Sequence, residues 1–330
     1  MLRFVGGAEG RVVVLLVAVL GFGALREPRL LEASSLNSIL LWIPLLVVMA
    51  VGQMFVIVTR GIDVSVGSIL GLSGVVVAMA FRDWELGVWG GVLLGIGIGA
   101  SLGFVNAALV AWARIPPIIA TLGTLTAYRG FAFIISGGRQ VDSHQIPADL
   151  MRWSVEGPLR IGGVVIPWLV AIALFVAALG YVFTRHMRAG RALYAIGSNA
   201  KAAHLQGVPV RRTLLLAYSL CGALAGLASV MYASRYGSLN PGYAGLDMEL
   251  TVIAAAVIGG CDVTGGVGSV LGVVLGCMLL GVINVGLAVL GIAADWQLLV
   301  YGLVILLALA LNSGLSFFNA RKMVTKGAAP

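Results

Sequence analysis

Charge is scarce in this chain: only 10% of its 330 residues are Asp, Glu, Lys or Arg, against about 25% in a soluble domain. Histidine is nearly as rare. The three, His144, His186 and His204, are scattered. The three cysteines, Cys221, Cys261 and Cys277, lie in or beside apolar runs. Their spacing gives neither a disulfide framework nor a metal set, so they read as small residues packed among helices. No H-E-x-x-H, G-x-S-x-G or G-x-x-x-x-G-K-[ST] occurs. The run GGVGSVLG (Gly265–Gly272) has no acid at dinucleotide spacing and opens an apolar segment. No catalytic residue, metal site or cofactor is therefore expected on the chain. Nor is any polar stretch long enough to bury a core of its own, which leaves one membrane unit over 1–330.

Apolar residues and glycine fill the space instead. The chain is 60% hydrophobic with 46 glycines, and its mean hydropathy is +1.05. A bilayer-crossing helix needs about 20 mostly apolar residues. Such runs fall at Val12–Leu25, Leu36–Val58, Val64–Phe81, Val88–Trp112, Ile118–Ser136, Val164–Thr184, Thr213–Ser234, Met248–Gly260, Gly265–Leu290 and Trp296–Leu311. The first and eighth are short, as tilted or re-entrant segments are. Arg3 and Arg11 before the first run resemble a signal peptide, but no A-x-A site follows it, so an uncleaved first span is expected. The class is an all-α polytopic membrane helix bundle of about ten transmembrane helices.

The net charge of +8 does not point to nucleic acid, because the basic residues sit between apolar runs, where they set orientation. With the N-terminus inside, the inner pieces hold thirteen of the 21 basic residues and three acids (Glu9, Asp63, Asp262). The outer pieces hold seven basic and ten acidic residues, and Arg129 lies within a span. Both termini are then cytoplasmic. The longest outer segment, Gly137–Gly163, reads equally as a partner contact or a plain connection.

Two four-step glycine ladders, Gly91, Gly95, Gly99, Gly103 and Gly268, Gly272, Gly276, are expected to bring helix backbones close. RGIDVSVGSILG (Arg60–Gly71) is echoed by GGCDVTGGVGSVLG (Gly259–Gly272), and GFVN (Gly103–Asn106) by GVIN (Gly281–Asn284). The offsets differ, so the echoes hint at duplicated halves without establishing a repeat. Polar residues inside spans are costly unless they face the bundle interior or a cavity. Gln53, Asn106, Thr121, Thr124, Arg129 and Asn284 are accordingly the candidates for a translocation path. Arg129 lies about 16 Å into its span from Ile118, where it either lines a path or snorkels outward. Asn106 and Asn284 serve equally well as interhelical hydrogen-bond glue. Asp63 and Asp262 read as N-caps of the helices that follow, or as substrate contacts.

One cytoplasmic stretch stands apart: RHMRAGRALYAIGSNAKAAHLQGVPVRR, from Arg185 to Arg212, has six basic residues and no acid. Asn199 is placed to cap a short helix over Ala200–Gln206, and Gly207 with Pro209 to end it. Positive-inside topology explains the arginines but not the G-S-N-x-x-A-A-x-x-x-G pattern between them.

GSNAKAAHLQGVPV resembles the cytoplasmic coupling segment of bacterial ABC importer permeases of the ribose/xylose/arabinose/galactose type. RGIDVSVGSILGLSG resembles that family's G-[GI]-x-D-[LV]-S-V-G-S motif, and IPPIIATLGTLTAYRG (Ile115–Gly130) its P-x-x-x-A-T-L-G-T…R-G segment. The likeness runs from about Leu40 to Asn312, and around Tyr128–Gly138 it is nearest the rhamnose and autoinducer-2 branches. Arg60 departs from it, standing where the family has Gly. The resemblance implies a sugar permease in the bacterial inner membrane, type II importer-like, paired with a second identical or related permease copy. It implies two ABC ATPase subunits that bind ATP-Mg, and a periplasmic sugar-binding protein. The short cytoplasmic coupling helix would meet the ATPase through Gly197, Asn199, Ala202, Ala203 and Gly207. A branched-chain amino-acid type ABC permease is the nearest alternative. An ATP-independent secondary transporter is disfavoured because no acid lies clearly mid-span. A membrane enzyme would need a nucleophile or metal cluster that is missing.

Overall fold

The computed structural model describes residues 8–293 and, beyond them, 296, 299–300, 302–303 and 306. The helices are α1 (Ala8–Arg26), α2 (Ala33–Val58), α3 (Val66–Trp84), α4 (Val88–Ala111), α5 (Pro117–Ser136), α6 (Ala148–Val155), α7 (Trp168–His186), α8 (Arg188–Leu205), α9 (Val210–Tyr236), α10 (Met248–Ile258) and α11 (Val270–Val289). Seven of these, α2–α5, α7, α9 and α11, are long and apolar enough to cross a membrane. The first expected span forms α1, and the tenth, Trp296–Leu311, lies largely outside the described residues.

The apolar pattern decides which helices are central. α2 is hydrophobic on every side and buried from Pro44 to Val58, as a helix surrounded by others must be. α7, α9, α10 and α11 lie against it. α5 and α7 keep apolar side chains such as Ile134 and Phe175 outside, a surface suited to lipid rather than water.

Glycine sets the close approaches. A β-carbon at Gly99 would collide with the Gly222 carbonyl oxygen, one at Gly103 with that of Tyr218, and one at Gly226 with that of Gly95. Gly95, Gly99 and Gly103 of the first ladder thus form the seam between α4 and α9, while Gly91 faces Phe81 of α3. In the second, β-carbons at Gly272 and Gly276 would strike the carbonyl oxygens of Gly259 and Ala255, so this ladder seats α11 on α10. Side-chain-free contact of this kind substitutes dispersion for the hydrophobic drive that lipid cannot supply.

Two stretches depart from the expected pattern. The Gly137–Gly163 segment is structured: α6 lies there, and Leu159–Ile161 pairs antiparallel with Val164–Ile166. The turn between the strands holds Gly162 and Gly163 at φ 55° and 84°, the left-handed pair that a two-residue hairpin needs. The sixth span therefore begins at Trp168 and not at Val164. Ser154 Oγ donates to Ser234 O (3.0 Å) and Ser234 Oγ to Leu150 O (2.7 Å), clamping α6 to the end of α9.

The second departure is at α10. Its 11 residues span about 16 Å, roughly half a hydrocarbon core of about 30 Å. The chain between α9 and α10 is irregular, and Gly237, Gly245 and Asp247 all have positive φ. Irregular backbone survives at such depth only where protein buries its polar groups.

Candidate functional site

The basic stretch, the two echoed motifs and the ends of α2 and α11 meet at one end of the bundle, here the basic end. α8 is broken at Asn199, whose backbone is extended (φ −160°, ψ 101°). Asn199 Oδ1 accepts the Ala202 N–H at 3.0 Å, so the short helix starts with the side-chain cap that its first amides require. It ends at Gly207, where φ is 82°. Gly207 N donates to His204 O (2.9 Å) and Val208 N to Ala203 O (3.0 Å), satisfying the last carbonyls.

The half of α8 before the break is wedged into the bundle. A β-carbon at Gly197 would collide with Val58 O and Gly266 N. Gly266 N instead donates to Val58 O at 2.9 Å. Arg60 reaches over this junction, donating from Nε to Gly197 O and from Nη2 to Ser198 O (2.8 Å). Tyr194 OH donates to Gly268 O at 3.1 Å. Burial pushes the Tyr194 phenol up to about 12, so it keeps this proton throughout the physiological range.

The five residues expected on the contact surface therefore divide. Asn199, Ala202 and Gly207 are exposed, whereas Gly197 and Ala203 are buried. Gly197 seats the hinge, and Ala203 turns the short helix inward. Leu205, not singled out from the sequence, is 88% exposed. Its signal was a leucine among Lys201, His204 and Gln206, one helical step from the buried alanine.

The echoed acids share a local geometry. Asp63 Oδ1 accepts Ser65 N (2.9 Å) and Ser65 Oγ (2.6 Å). Asp262 Oδ1 accepts Thr264 N (2.8 Å) and Thr264 Oγ1 (2.7 Å). Each closes its own Asp-Val-[Ser/Thr] turn and is not the N-cap of the next helix. α11 is capped by Ser269, which accepts the Gly272 N–H at 3.2 Å. Asp262 lies about two helical turns before α11 begins at Val270, too far to cap it.

Four of the six path candidates gather around Asp63, which is fully buried. Asn106 Nδ2 donates to both Asp63 oxygens (3.1 and 3.3 Å), and Tyr128 OH to Asn106 Oδ1 (3.1 Å). Gln53, turned so that both ends of its amide are satisfied, donates to Asp63 O (3.2 Å) and accepts from Asp63 N (3.1 Å). Thr121 Oγ1 accepts Val64 N (3.2 Å), and Thr124 Oγ1 donates to Thr121 O (3.3 Å). Asn106 lies five residues before the end of α4, about 8 Å into the bundle. Residues 61–65 thus fold back inward before α3 begins.

The other two candidates lie apart. Arg129 Nη1 donates to Pro241 O (3.1 Å) and Ala244 O (2.6 Å), capping the irregular chain before α10. A β-carbon at Gly71 would stand 2.9 Å from Arg129 Nη1, and one at Gly67 would strike Glu249 Oε2. A cation and an anion are thereby seated one turn apart on α3, about 6 Å by helix rise. Glu249 Oε2 is buried without a hydrogen-bond partner among the described residues. Glu249 lies in the first turn of α10, and the half length of that helix brings it inward. Asn284 is half-buried, and its side chain makes no hydrogen bond among the described residues.

The profile of the family described as "Branched-chain amino acid transport system / permease component" matches residues 35–309. The ribose import permease protein RbsC of Escherichia coli (strain K12) is 35% identical over 92% of this chain and 94% of its own length. The D-allose transport system permease protein AlsC of the same strain is 34% identical over 92% and 90%. The autoinducer 2 import system permease protein LsrC of Yersinia pestis (strain Pestoides F) is 34% identical over 93% and 85%. No solved structure matches significantly.

Proposed function

The chain belongs to the branched-chain amino acid transport system permease family, and from that membership we propose that it is the membrane-spanning subunit of an ATP-driven importer of a monosaccharide or related small sugar. The relatives named for ribose and D-allose support a sugar over an amino acid. The observation that carries ATP coupling is the break at Asn199, which sets off a capped, exposed helix against buried junctions at the basic end. A capped projection of this kind, with Leu205 exposed on it, suits the cleft of a separate ATPase subunit, and that subunit binds ATP-Mg. Positive-inside charge puts the projection, and both termini, on the cytoplasmic side of the bacterial inner membrane.

In this reading the chain performs no chemistry. A periplasmic sugar-binding protein delivers substrate to the opposite end, and a second permease copy, identical or related, completes the path. ATP-driven closure of the ATPases displaces the short helix, and the junctions around Gly197 carry that motion into the bundle. Arg129 and Asn284 are carried as path residues, joined by Glu249, whose buried carboxylate lies against Gly67 of α3. Gln53, Asn106, Thr121 and Thr124 hold the Asp63 turn that the motion must move.

Uptake in cells tests this. D-Ribose, D-allose and L-leucine, each radiolabelled, are supplied to a strain expressing this chain with the ATPase and binding protein of its host. ATP-dependent uptake of a sugar, abolished by Gly207→Asp with membrane insertion intact, is the expected result. Leucine uptake would turn the reading to an amino-acid permease, and uptake that survives ATP depletion to a secondary transporter.

A further inference from the structure

Arg60 occupies a backbone position made for glycine. Its φ is 68°, the left-handed region in which an L side chain is strained. Three features show what the side chain does in return. Its Nε and Nη2 donate to Gly197 O and Ser198 O, the last two carbonyls before the break in α8. Its stem lies on Gly265, where a β-carbon would collide with Arg60 Cγ. Its own backbone N–H closes the end of α2, donating to Ile57 O at 2.9 Å. One residue therefore ties together the end of α2, the hinge of α8 and the second glycine loop.

We propose that Arg60 is a positioning residue that carries displacement of the short helix Ala200–Leu205 into the joint between α2 and α3. The proposal rests on the reading of that helix as the ATPase contact. Carbonyls at a helix C-terminus bear partial negative charge and attract a cation. A planar fork on two successive carbonyls fixes orientation as well as distance, which an ammonium cannot do. From Arg60 the chain runs three residues to Asp63, and Asp63 is bonded to Asn106 of α4. Movement at Ser198 thus reaches α4 through Arg60 and the Asp63 turn, and reaches α3 through Ser65. A glycine at position 60 would keep the Gly266–Val58 backbone bond and lose only the side-chain link.

The test is amide hydrogen exchange on the whole complex of permease, ATPase and binding protein in nanodiscs, with and without ATP–vanadate, for wild type, Arg60→Gly and Arg60→Lys. In the wild type, nucleotide is expected to change exchange about threefold or more both in residues 199–206 and in residues 59–66. In Arg60→Gly the response at 199–206 persists and the response at 59–66 is lost. Arg60→Lys, with charge but no fork, retains only part of it. The thermal midpoint of Arg60→Gly is expected to be unchanged or higher, because the left-handed strain is relieved. Equal responses at 59–66 in wild type and Arg60→Gly would overturn the proposal. So would a clear fall in the Arg60→Gly midpoint, which would make the residue a structural support. If neither segment responds in the wild type, the reading of the short helix as ATPase contact falls as well.

Discussion

Replacing Asp63 by alanine withdraws one acceptor group from three donors at once. Ser65 N stands 2.9 Å and Ser65 Oγ 2.6 Å from one carboxylate oxygen, and Asn106 Nδ2 3.1 Å from the other. The Ser65 hydroxyl is free to rotate to another acceptor. The Ser65 amide is not, since the residue is fully buried, and Asn106 Nδ2 falls back on Ser65 Oγ at 2.7 Å. A buried donor left without a partner costs about 1–3 kcal/mol and one lost hydrogen bond about 1 kcal/mol, so Asp63→Ala should cost about 2–4 kcal/mol. That exceeds the roughly 0.6 kcal/mol of an average interhelical hydrogen bond in a membrane, because a junction is lost and not one bond. Asp63→Asn is the control. It keeps the acceptor for Ser65, and Asn106 turns its amide over to meet the new one, so the cost is about 1 kcal/mol. A thermal melt of the tagged chain in mild detergent, read by size-exclusion chromatography, should show Asp63→Ala lower by roughly 5 °C or more and Asp63→Asn lower by only a small part of that. Equal midpoints for both variants and wild type would refute the hydrogen-bond accounting.

Gly99→Ala drives a β-carbon into the Gly222 carbonyl and should destabilise the α4–α9 seam by about 1–3 kcal/mol; an unchanged midpoint would show that the two helices separate freely. Leu205→Ser alters a side chain that is 88% exposed among the described residues, so stability should hold within about 0.5 kcal/mol while recovery of the ATPase in pull-downs falls. Undiminished recovery would remove Leu205 from the contact. Glu249→Gln breaks no hydrogen bond at Oε2, and is expected to cut uptake about tenfold or more with no loss of thermal stability; full uptake would take Glu249 off the path. A reporter active only in the periplasm should be silent when fused after Pro330, and an active fusion would reverse the orientation.

Legibility in the sequence varied with the length scale of the signal. The spans were readable because a bilayer demands long apolar runs, and the glycine ladders because a four-residue step marks one helix face. The cap at Asn199 and the stop at Gly207 were equally plain, since both rest on local backbone chemistry. Four features were hidden for one reason: they depend on which segments meet. Asp63 and Asp262 looked like caps, yet each closes its own turn, and only the fold shows that one is buried against Asn106 while the other is exposed. Gly197 matched a contact motif, and only the fold shows that it is buried where a β-carbon would strike the Val58 carbonyl. Glu249 was not singled out, because its approach to Gly67 follows only from how the short α10 packs on α3. Arg60 was visible as a departure from the family pattern, and its partners, more than 130 residues away, were not.

The most direct test of the central claim is a pull-down of this chain from its host membrane in gentle detergent, with the partners identified and ATP hydrolysis assayed. The account predicts a co-purifying subunit that hydrolyses ATP and is lost when Gly207 is changed to Asp. A chain that purifies alone from several mild detergents, with no ATPase activity and with sugar uptake intact, would contradict it.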